Sequence, residues 1–144
     1  PGYIHSYIYE EFHPNHNMDI GKTAQEFLNH WFEKNFDENS FELSNPLITA
    51  EGKIFSREDI IMKLTNCLNS YQSFTNIKFA GSDTGYAWND ETSSGIGHAE
   101  GMFKYDALLE NGETIKIEGP FKLYMSNENG WWQIFYFVFP GFDW

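Results

Sequence analysis

The chain has 144 residues and a mass of 16.8 kDa, which fits one domain. It carries 9 Lys and Arg against 21 Asp and Glu, a formal net charge of −12, which argues against binding to nucleic acid or to an anionic membrane surface. The aromatic content of 19% is high for a chain this short, so an acidic exterior is expected to enclose an aromatic-rich core.

The cysteine count and the N-terminal residues indicate the cellular compartment in which the protein is expected. Cys67 is the single cysteine, which excludes an intrachain disulfide and suits a reducing, cytoplasmic location. Residues 1–5 lack the basic and apolar regions of a signal peptide. Because the first methionine is Met18, residues 1–18 are expected to be an N-terminal extension, either introduced by cloning or a processed natural segment, and residues 19–144 a single domain.

Two amphipathic helices are predicted in the first half of the chain. From Asp19 to Phe36 the apolar residues recur at spacings of three and four, which is typical of a helix with one buried face. Ser56 can cap a second helix, which has acidic residues in its first turn and runs to about Ser70. The segment between the two helices, residues 41–54, is predicted to form a turn and one or two short strands.

The second half of the chain alternates in a β pattern. Strands are predicted at Phe74–Phe79, Ile96–Leu108, Thr114–Met125 and Trp131–Phe139, with Tyr86–Trp88 continuing or following the first. Asn111-Gly112 and Asn129-Gly130 are strong signals for two-residue hairpin turns. Helices followed by a meander predict the α+β class, with helices on one face of an antiparallel sheet.

Two-residue turns would fix the register of the last three strands. One face would then carry the rows His98–Met125–Ile134, Glu100–Leu123–Tyr136 and Met102–Phe121–Val138, with Trp132 and Ile115 beside them. The opposite face collects Phe135, Phe137 and Phe139. An apolar patch of that kind usually marks an interface, so a homodimer that packs outer sheet face to outer sheet face is predicted.

The end of the chain resembles a known superfamily. Gly119–Met125, followed by Asn129-Gly130-Trp131-Trp132-Gln133-Ile134, is similar to the penultimate strand, turn and Gly-x-Trp-x-Ile start of the last strand in nuclear transport factor 2-like proteins, which include ketosteroid-isomerase-like and polyketide-cyclase-like members. The resemblance covers about residues 19–139. It implies a cone-shaped, curved antiparallel sheet wrapped around N-terminal helices (the cystatin-like, or nuclear transport factor 2-like, architecture), a pocket on the concave face and, in many members, dimerisation through the convex face.

The resemblance transfers no catalytic residue to this chain. Ketosteroid-isomerase-like enzymes use a tyrosine on the first helix, whereas the inward positions here are Phe27, Leu28, Trp31 and Phe32.

His98, Glu100 and Tyr136 are the candidate catalytic residues. His98 and Glu100 lie two apart on one strand, so their side chains point the same way, ~7 Å apart. Among apolar neighbours such a pair could move a proton between two positions of a substrate. Tyr136 could donate a hydrogen bond to an enolate or carbonyl oxygen. The alternative is a buried ion pair or hydrogen-bonded pair that only fixes the register.

Apolar side chains are expected to line the pocket around these residues. The predicted lining is Phe27, Trp31, Met102, Phe121, Leu123, Met125, Trp132 and Ile134. Asp106, further along the same face, either lines one end of the pocket or is exposed. His5, His13 and His16 could suggest zinc, but accidental clustering is the favoured interpretation, so no metal and no cofactor are predicted.

Two functions follow from these observations. The first is binding of a small hydrophobic molecule in the conical pocket; if the protein is an enzyme, cofactor-free acid/base isomerisation, cyclisation or dehydration fits best. The alternative is a non-catalytic interaction module, a scaffold or immunity-like protein, whose acidic surface meets a basic protein. A cone plugged by Trp31, Trp132 and Phe side chains would argue against the first function.

Overall fold

A computed structural model describes residues 15–144. The elements in chain order are α1 (His16–Glu33), β1 (Leu47–Ile48), β2 (Ile54–Phe55), α2 (Arg57–Leu68), β3 (Tyr71–Asn89), β4 (Ser94–Leu109), β5 (Thr114–Asn127) and β6 (Trp132–Val138). The predicted α+β class is confirmed: helical segments in the first half of the chain pack on a curved antiparallel sheet. Within residues 15–144, no helix is both long and apolar enough to cross a membrane.

Both helices begin at side chains that cap their free backbone N–H groups. The side chain of Asn15 accepts a hydrogen bond from the Met18 N–H, so α1 begins three residues before the predicted start. Lys34, in the left-handed conformation with φ 58°, ends α1. The predicted cap of the second helix is confirmed, because the Ser56 hydroxyl accepts from the Asp59 N–H at 3.1 Å.

The long strands form one antiparallel sheet in the order β3-β4-β5-β6, and β1 pairs with β2 in a separate two-stranded sheet. β3 is a single strand that contains both Phe74–Phe79 and Tyr86–Trp88, so the second segment continues the first, which is one of the two predicted alternatives. Its pairing with β4 shifts register at three places. Bulges of this kind bend a strand and increase its twist, which lets β3 follow a curved sheet.

Aromatic rings fill the space between α1 and the sheet. The ring centroids of Trp31 and Phe139 lie 4.7 Å apart, and those of Phe27 and Phe137 lie 5.0 Å apart. Trp31, Phe27 and Phe137 have no exposed surface. The large aromatic content of the sequence is therefore used mainly to build the core, as the composition predicts.

The first hairpin loop is one residue longer than predicted. The Leu109 N–H donates to the Glu113 carbonyl, the Gly112 N–H donates to the Leu109 carbonyl, and Gly112 is left-handed with φ 89°. This is the three-residue loop in which a type I turn precedes a left-handed residue. Met102 therefore faces Pro120 instead of Phe121, and the predicted β4–β5 register is wrong. Because side chains alternate along a strand, the one-residue shift places the predicted inner residues of β4 on the outer face.

The second hairpin keeps its predicted register only near the turn. Met125 faces Ile134 as predicted, but the next pair is Tyr124 with Tyr136, because Phe135 is an extra residue in β6. Beyond this bulge, Phe137 and Phe139 turn into the core with 0% and 2% exposure. The predicted faces of Tyr136, Val138, Phe137 and Phe139 are therefore reversed: the first two lie outside and the last two inside.

The segment that follows β6 is held by hydrogen bonds from three elements. The Tyr105 hydroxyl donates to the Pro140 carbonyl, and the Tyr71 hydroxyl and Cys67 thiol donate to the Gly141 carbonyl at 3.0 and 3.2 Å. Gly141 has φ 104°, and a Cβ there would lie 2.5 Å from the Tyr105 hydroxyl oxygen. Glycine is therefore required where this C-terminal segment, residues 140–144, crosses Tyr105.

Candidate functional site

Most of the predicted pocket residues belong to the packed core. Phe27, Trp31, Phe121, Leu123, Met125, Trp132 and Ile134 are each at most 5% exposed. Met102 is 44% exposed on the outer face, so its predicted inward position is wrong. The rings of Trp31 and of the phenylalanines fill the predicted conical pocket, which argues against ligand binding inside the cone.

The three predicted catalytic residues also lie on the outer face. His98 pairs with Tyr124, and Tyr124 pairs with Tyr136, so His98 and Tyr136 share a row two strands apart, about 10 Å. Glu100 lies in the next row, opposite Lys122. Their predicted position inside the cone is wrong: the shifted hairpin register moves His98 and Glu100 to the outer face, and the bulge at Phe135 moves Tyr136 there. Their part in proton transfer stays a prediction.

The register of β3 adds a residue that sequence reasoning missed. Asp83 pairs directly with Glu100, and its Oδ2 lies 3.5 Å from Nε2 of His98. One ligand atom from each of the three residues falls within 4.8 Å of the others. Residues 80–85 fall between the two predicted segments of β3, so their pattern alone does not place Asp83 beside His98 and Glu100. Joining the two predicted halves of β3 would have brought it beside the predicted pair.

An apolar groove lies between α1 and β3. It encloses about 400 Å³ and is lined by Leu28, Phe32, Ile77, Phe79 and Phe103, with Gln25, Asn29 and Glu33 as polar lining residues. Phe32 and Phe103 pack with ring centroids 5.4 Å apart, and Phe79 and Phe103 pack at 5.2 Å. Ile77 and Phe79 are nonetheless 45% and 49% exposed. In this groove the aromatic core extends to the protein surface.

A buried acid links α1 to the segment before β1. Glu42 Oε2 lies 2.5 Å from Nδ1 of His30, the Glu42 side chain is fully buried, and its Oε1 has no hydrogen-bond partner among residues 15–144. Burial raises the pKa of Glu42, while the hydrogen bond from His30 opposes the rise. No sequence pattern indicated Glu42, because it lies in the predicted turn region, where periodicity gives no face.

The predicted histidine cluster is only partly within the described residues. His16 is 9% exposed, accepts a hydrogen bond from Nε1 of Trp132 at 3.2 Å and stacks on Trp88 with ring centroids 4.3 Å apart. His16 therefore helps to anchor α1 against the sheet. His5 and His13 lie outside the described residues, as does most of the predicted N-terminal extension.

Comparisons with known proteins show the fold. No protein-family model and no curated protein matches the chain. The Kfla4162 protein from Kribbella flavida has a similar structure, with a TM-score of 0.60 and 13% identity over 82% of this chain and 84% of that one. An uncharacterised protein with a cystatin-like fold from Caulobacter vibrioides gives a TM-score of 0.56 and 12% identity over 83% and 84%. These similarities confirm the predicted cystatin-like fold, a fold class that includes nuclear transport factor 2-like proteins.

Proposed function

We propose that the protein is nuclear transport factor 2-like and binds a small, largely apolar molecule in the groove between α1 and β3. The observation that carries the proposal is the groove itself, where Ile77 and Phe79 stay about half exposed beside the buried ring of Phe103. Small-molecule sites are concave, mostly apolar and typically 300–1,000 Å³. The groove, at about 400 Å³, suits a ligand at the small end of that range.

The polar residues of the groove indicate what the ligand carries at one end. Gln25 Nε2 donates to Asn29 Oδ1 at 2.8 Å, which leaves the Asn29 amide N–H groups and the Gln25 carbonyl for a ligand. Within residues 15–144, Glu33 is the single titratable group in the lining. An uncharged or cationic polar end therefore fits better than an anion. Binding is favoured over acid/base catalysis, because the groove brings together no two titratable side chains of the described residues.

A neutral apolar dye tests the groove directly. N-phenyl-1-naphthylamine should bind wild-type protein in a one-to-one ratio, measured by its fluorescence. Ile77→Lys places a charge in the groove and should weaken binding at least about tenfold, which corresponds to about 1.4 kcal/mol. Ile96→Lys is the matched control, because Ile96 is also exposed (64%) but lies away from the groove.

The dye experiment has outcomes that decide the proposal. Loss of binding in Ile77→Lys, with Ile96→Lys unchanged, supports it. Equal affinities in all three proteins would place the dye elsewhere and overturn the proposal, as would a wild-type protein that does not bind the dye. Circular dichroism of both variants separates loss of binding from loss of folding.

The interaction module is a second candidate, and one surface favours it. A cavity of about 600 Å³ is lined by Phe41, Trp131 and Glu26 among others, and the two aromatic residues are 59% and 71% exposed. Exposed aromatic rings attract Lys and Arg side chains: the Arg57 guanidinium carbon already lies 5.4 Å from the centroid of the Phe41 ring, and Trp131 offers a second ring in the same cavity as Glu26. This surface, with the net charge of −12, suits a basic segment of another protein.

A lysine- and arginine-rich peptide tests the second candidate. Binding measured by fluorescence anisotropy should weaken severalfold in Trp131→Ala, and further as salt screens the charges. Ile54→Ala is the matched control, because Ile54 is 69% exposed and lies away from this cavity. Trp144 does not serve as a control, because its ring packs on Phe137. A peptide affinity that is unchanged in Trp131→Ala would rule this surface out.

A further inference from the structure

We propose that Asp83, His98 and Glu100 form a binding site for a divalent transition-metal ion such as Zn²⁺ on the outer face of the sheet. The three residues come from adjacent strands β3 and β4, and one potential ligand atom from each lies within 4.8 Å of the other two. The site is separate from the α1–β3 groove and does not depend on the function proposed for it.

The backbone register places the three side chains together. Asp83 is the direct partner of Glu100, and Gly85 is the direct partner of His98. Residues two apart on a strand share a face, so these positions form a square of neighbours on the outer face. The site therefore rests on the ladder of two paired strands and not on a loop.

Gly85 makes the position of the imidazole possible. A Cβ at Gly85 would lie 2.7 Å from Cε1 of His98, which is closer than real Cβ contacts come. The His98 ring therefore lies over the space that Gly85 leaves, with Nε2 directed at Asp83. A larger residue at this position would push the ring away from the two carboxylates.

The charges at the site favour a bound cation. Asp83 and Glu100 are both acidic and directly opposed, an arrangement that destabilises a sheet unless something neutralises it. Lys122, opposite Glu100 on β5, is the nearest cationic residue in the register, but it forms no ion pair within 4.0 Å among the described residues. The protein's net charge of −12 also attracts cations.

The donor set matches the coordination chemistry of zinc. One imidazole nitrogen and two carboxylate oxygens are ordinary Zn²⁺ ligands, with bonds of about 2.0–2.2 Å that bring ligand atoms to within about 4.3 Å of each other. The present separation of up to 4.8 Å closes by a small side-chain rotation, because Asp83 is 71% and His98 38% exposed. Asp83 and Glu100 also border a shallow depression of about 430 Å³, so water can take the remaining position.

Zinc binding to the full chain tests the site. Isothermal titration with Zn²⁺ alone should show a site in wild-type protein that is lost in His98→Gln and in Asp83→Asn. Loss of a direct ligand should weaken binding by more than the roughly 10–100-fold that loss of an outer hydrogen-bond partner costs. Any weak sites formed by other histidines should persist in both variants, so the difference between titrations isolates this site.

Two further variants separate coordination from general electrostatic attraction. Asp106→Asn removes an outer-face charge on the same strand and should leave the affinity unchanged, whereas Lys122→Gln removes the competing cation and should raise it severalfold. Co²⁺ substitution adds an absorption spectrum that only direct coordination produces, and His98→Gln should abolish it.

Each outcome of these experiments decides the proposal. Site-specific loss in His98→Gln and Asp83→Asn, together with the Co²⁺ spectrum, establishes the site. If Asp106→Asn weakens Zn²⁺ binding as much as Asp83→Asn does, the ion is attracted only by the overall charge. If wild type and His98→Gln bind alike, His98 and Asp83 are only neighbours on the sheet and the proposal is wrong.

Discussion

The two faces of the sheet carry different side chains, although both are built from alternating residues of the same strands. The inner face is packed with aromatic rings, such as Phe103, Phe121 and Phe137, that contact α1 or one another. The outer face carries titratable groups, including His98 and Glu100. A one-residue difference in the β4–β5 register would exchange the inner and outer residues of β4. The length of the hairpin loop therefore decides, more than hydrophobicity does, which of these side chains are accessible to a ligand.

Replacing the largest fully buried side chain tests the inner face with the largest expected effect. Trp31→Ala should lower the free energy of unfolding by about 3–5 kcal/mol, because it removes a ring that packs against Phe139 and Phe74. Trp131→Ala is the matched control, since Trp131 is 71% exposed and its loss should change stability by about 0.5 kcal/mol or less. Urea denaturation measures both, and similar losses would contradict a core centred on Trp31.

A neighbouring pair tests the bulge at Phe135. Phe137 is fully buried, so Phe137→Ala should cost about 3–5 kcal/mol. Tyr136 is on the outer face, stacked on Tyr124 and Trp144, and Tyr136→Ala should cost about 1 kcal/mol. Thermal denaturation distinguishes the two. A larger loss for Tyr136→Ala would mean that β6 has no bulge and that the regular register is correct.

A glycine of β4 tests how closely the inner face is packed. A Cβ at Gly101 would lie 2.1 Å from the Gly81 carbonyl oxygen, so Gly101→Ala should destabilise the protein by about 1–3 kcal/mol. Gly21, inside α1, has open space around its Cβ position, and Gly21→Ala should stabilise by about 0.5–1 kcal/mol. We expect the denaturation midpoint to fall in Gly101→Ala and to rise in Gly21→Ala. A change of the same sign in both variants would contradict the close contact between Gly101 and the Gly81 carbonyl.

The buried acid should add a smaller, pH-dependent effect. Burial raises the pKa of Glu42 above its ordinary value of 4.5, so the folded chain holds that proton more tightly than the unfolded chain. This contribution to stability is complete below pH 4.5 and is lost as the pH rises through the folded-state pKa. Glu42→Gln should therefore gain stability relative to wild type as the pH rises from 4.5.

Denaturation curves at several pH values check this dependence. Glu110→Gln, an exposed residue of the first hairpin loop, is the control and should show no comparable trend. A Glu42→Gln variant that loses stability relative to wild type as the pH rises would show that the ion pair with His30 outweighs the burial of the charge.

The sequence predicts the architecture better than it predicts the faces of the sheet. Helical spacing and capping are local, so the two helices and the cap at Ser56 follow from short segments. The inner residues of β5, Leu123 and Met125, were also assigned correctly. In β6, by contrast, every residue except Gln133 is apolar or aromatic, so alternation cannot reveal the extra residue at Phe135.

The candidate sites depend on the features that local patterns leave undetermined. Asn-Gly suits both two-residue and three-residue loops, and the choice at Asn111-Gly112 sets the face of His98 and Glu100. The groove needs β3 to reach α1, and the cluster needs Asp83 to pair with Glu100, both of which are long-range contacts. Such contacts depend on bulges in β3, for which the sequence has no periodic signal.

The hydrogen bonds to the C-terminal segment make the single thiol a reporter of local opening. The Cys67 Sγ–H donates to the Gly141 carbonyl, and burial raises the pKa of the thiol, so reaction with an alkylating reagent at neutral pH is slow while the segment is in place. Because residues 140–144 lie after the last strand, we expect their detachment to free the thiol while the sheet stays paired. The labelling rate under native conditions then measures the free energy of that opening, separately from global unfolding.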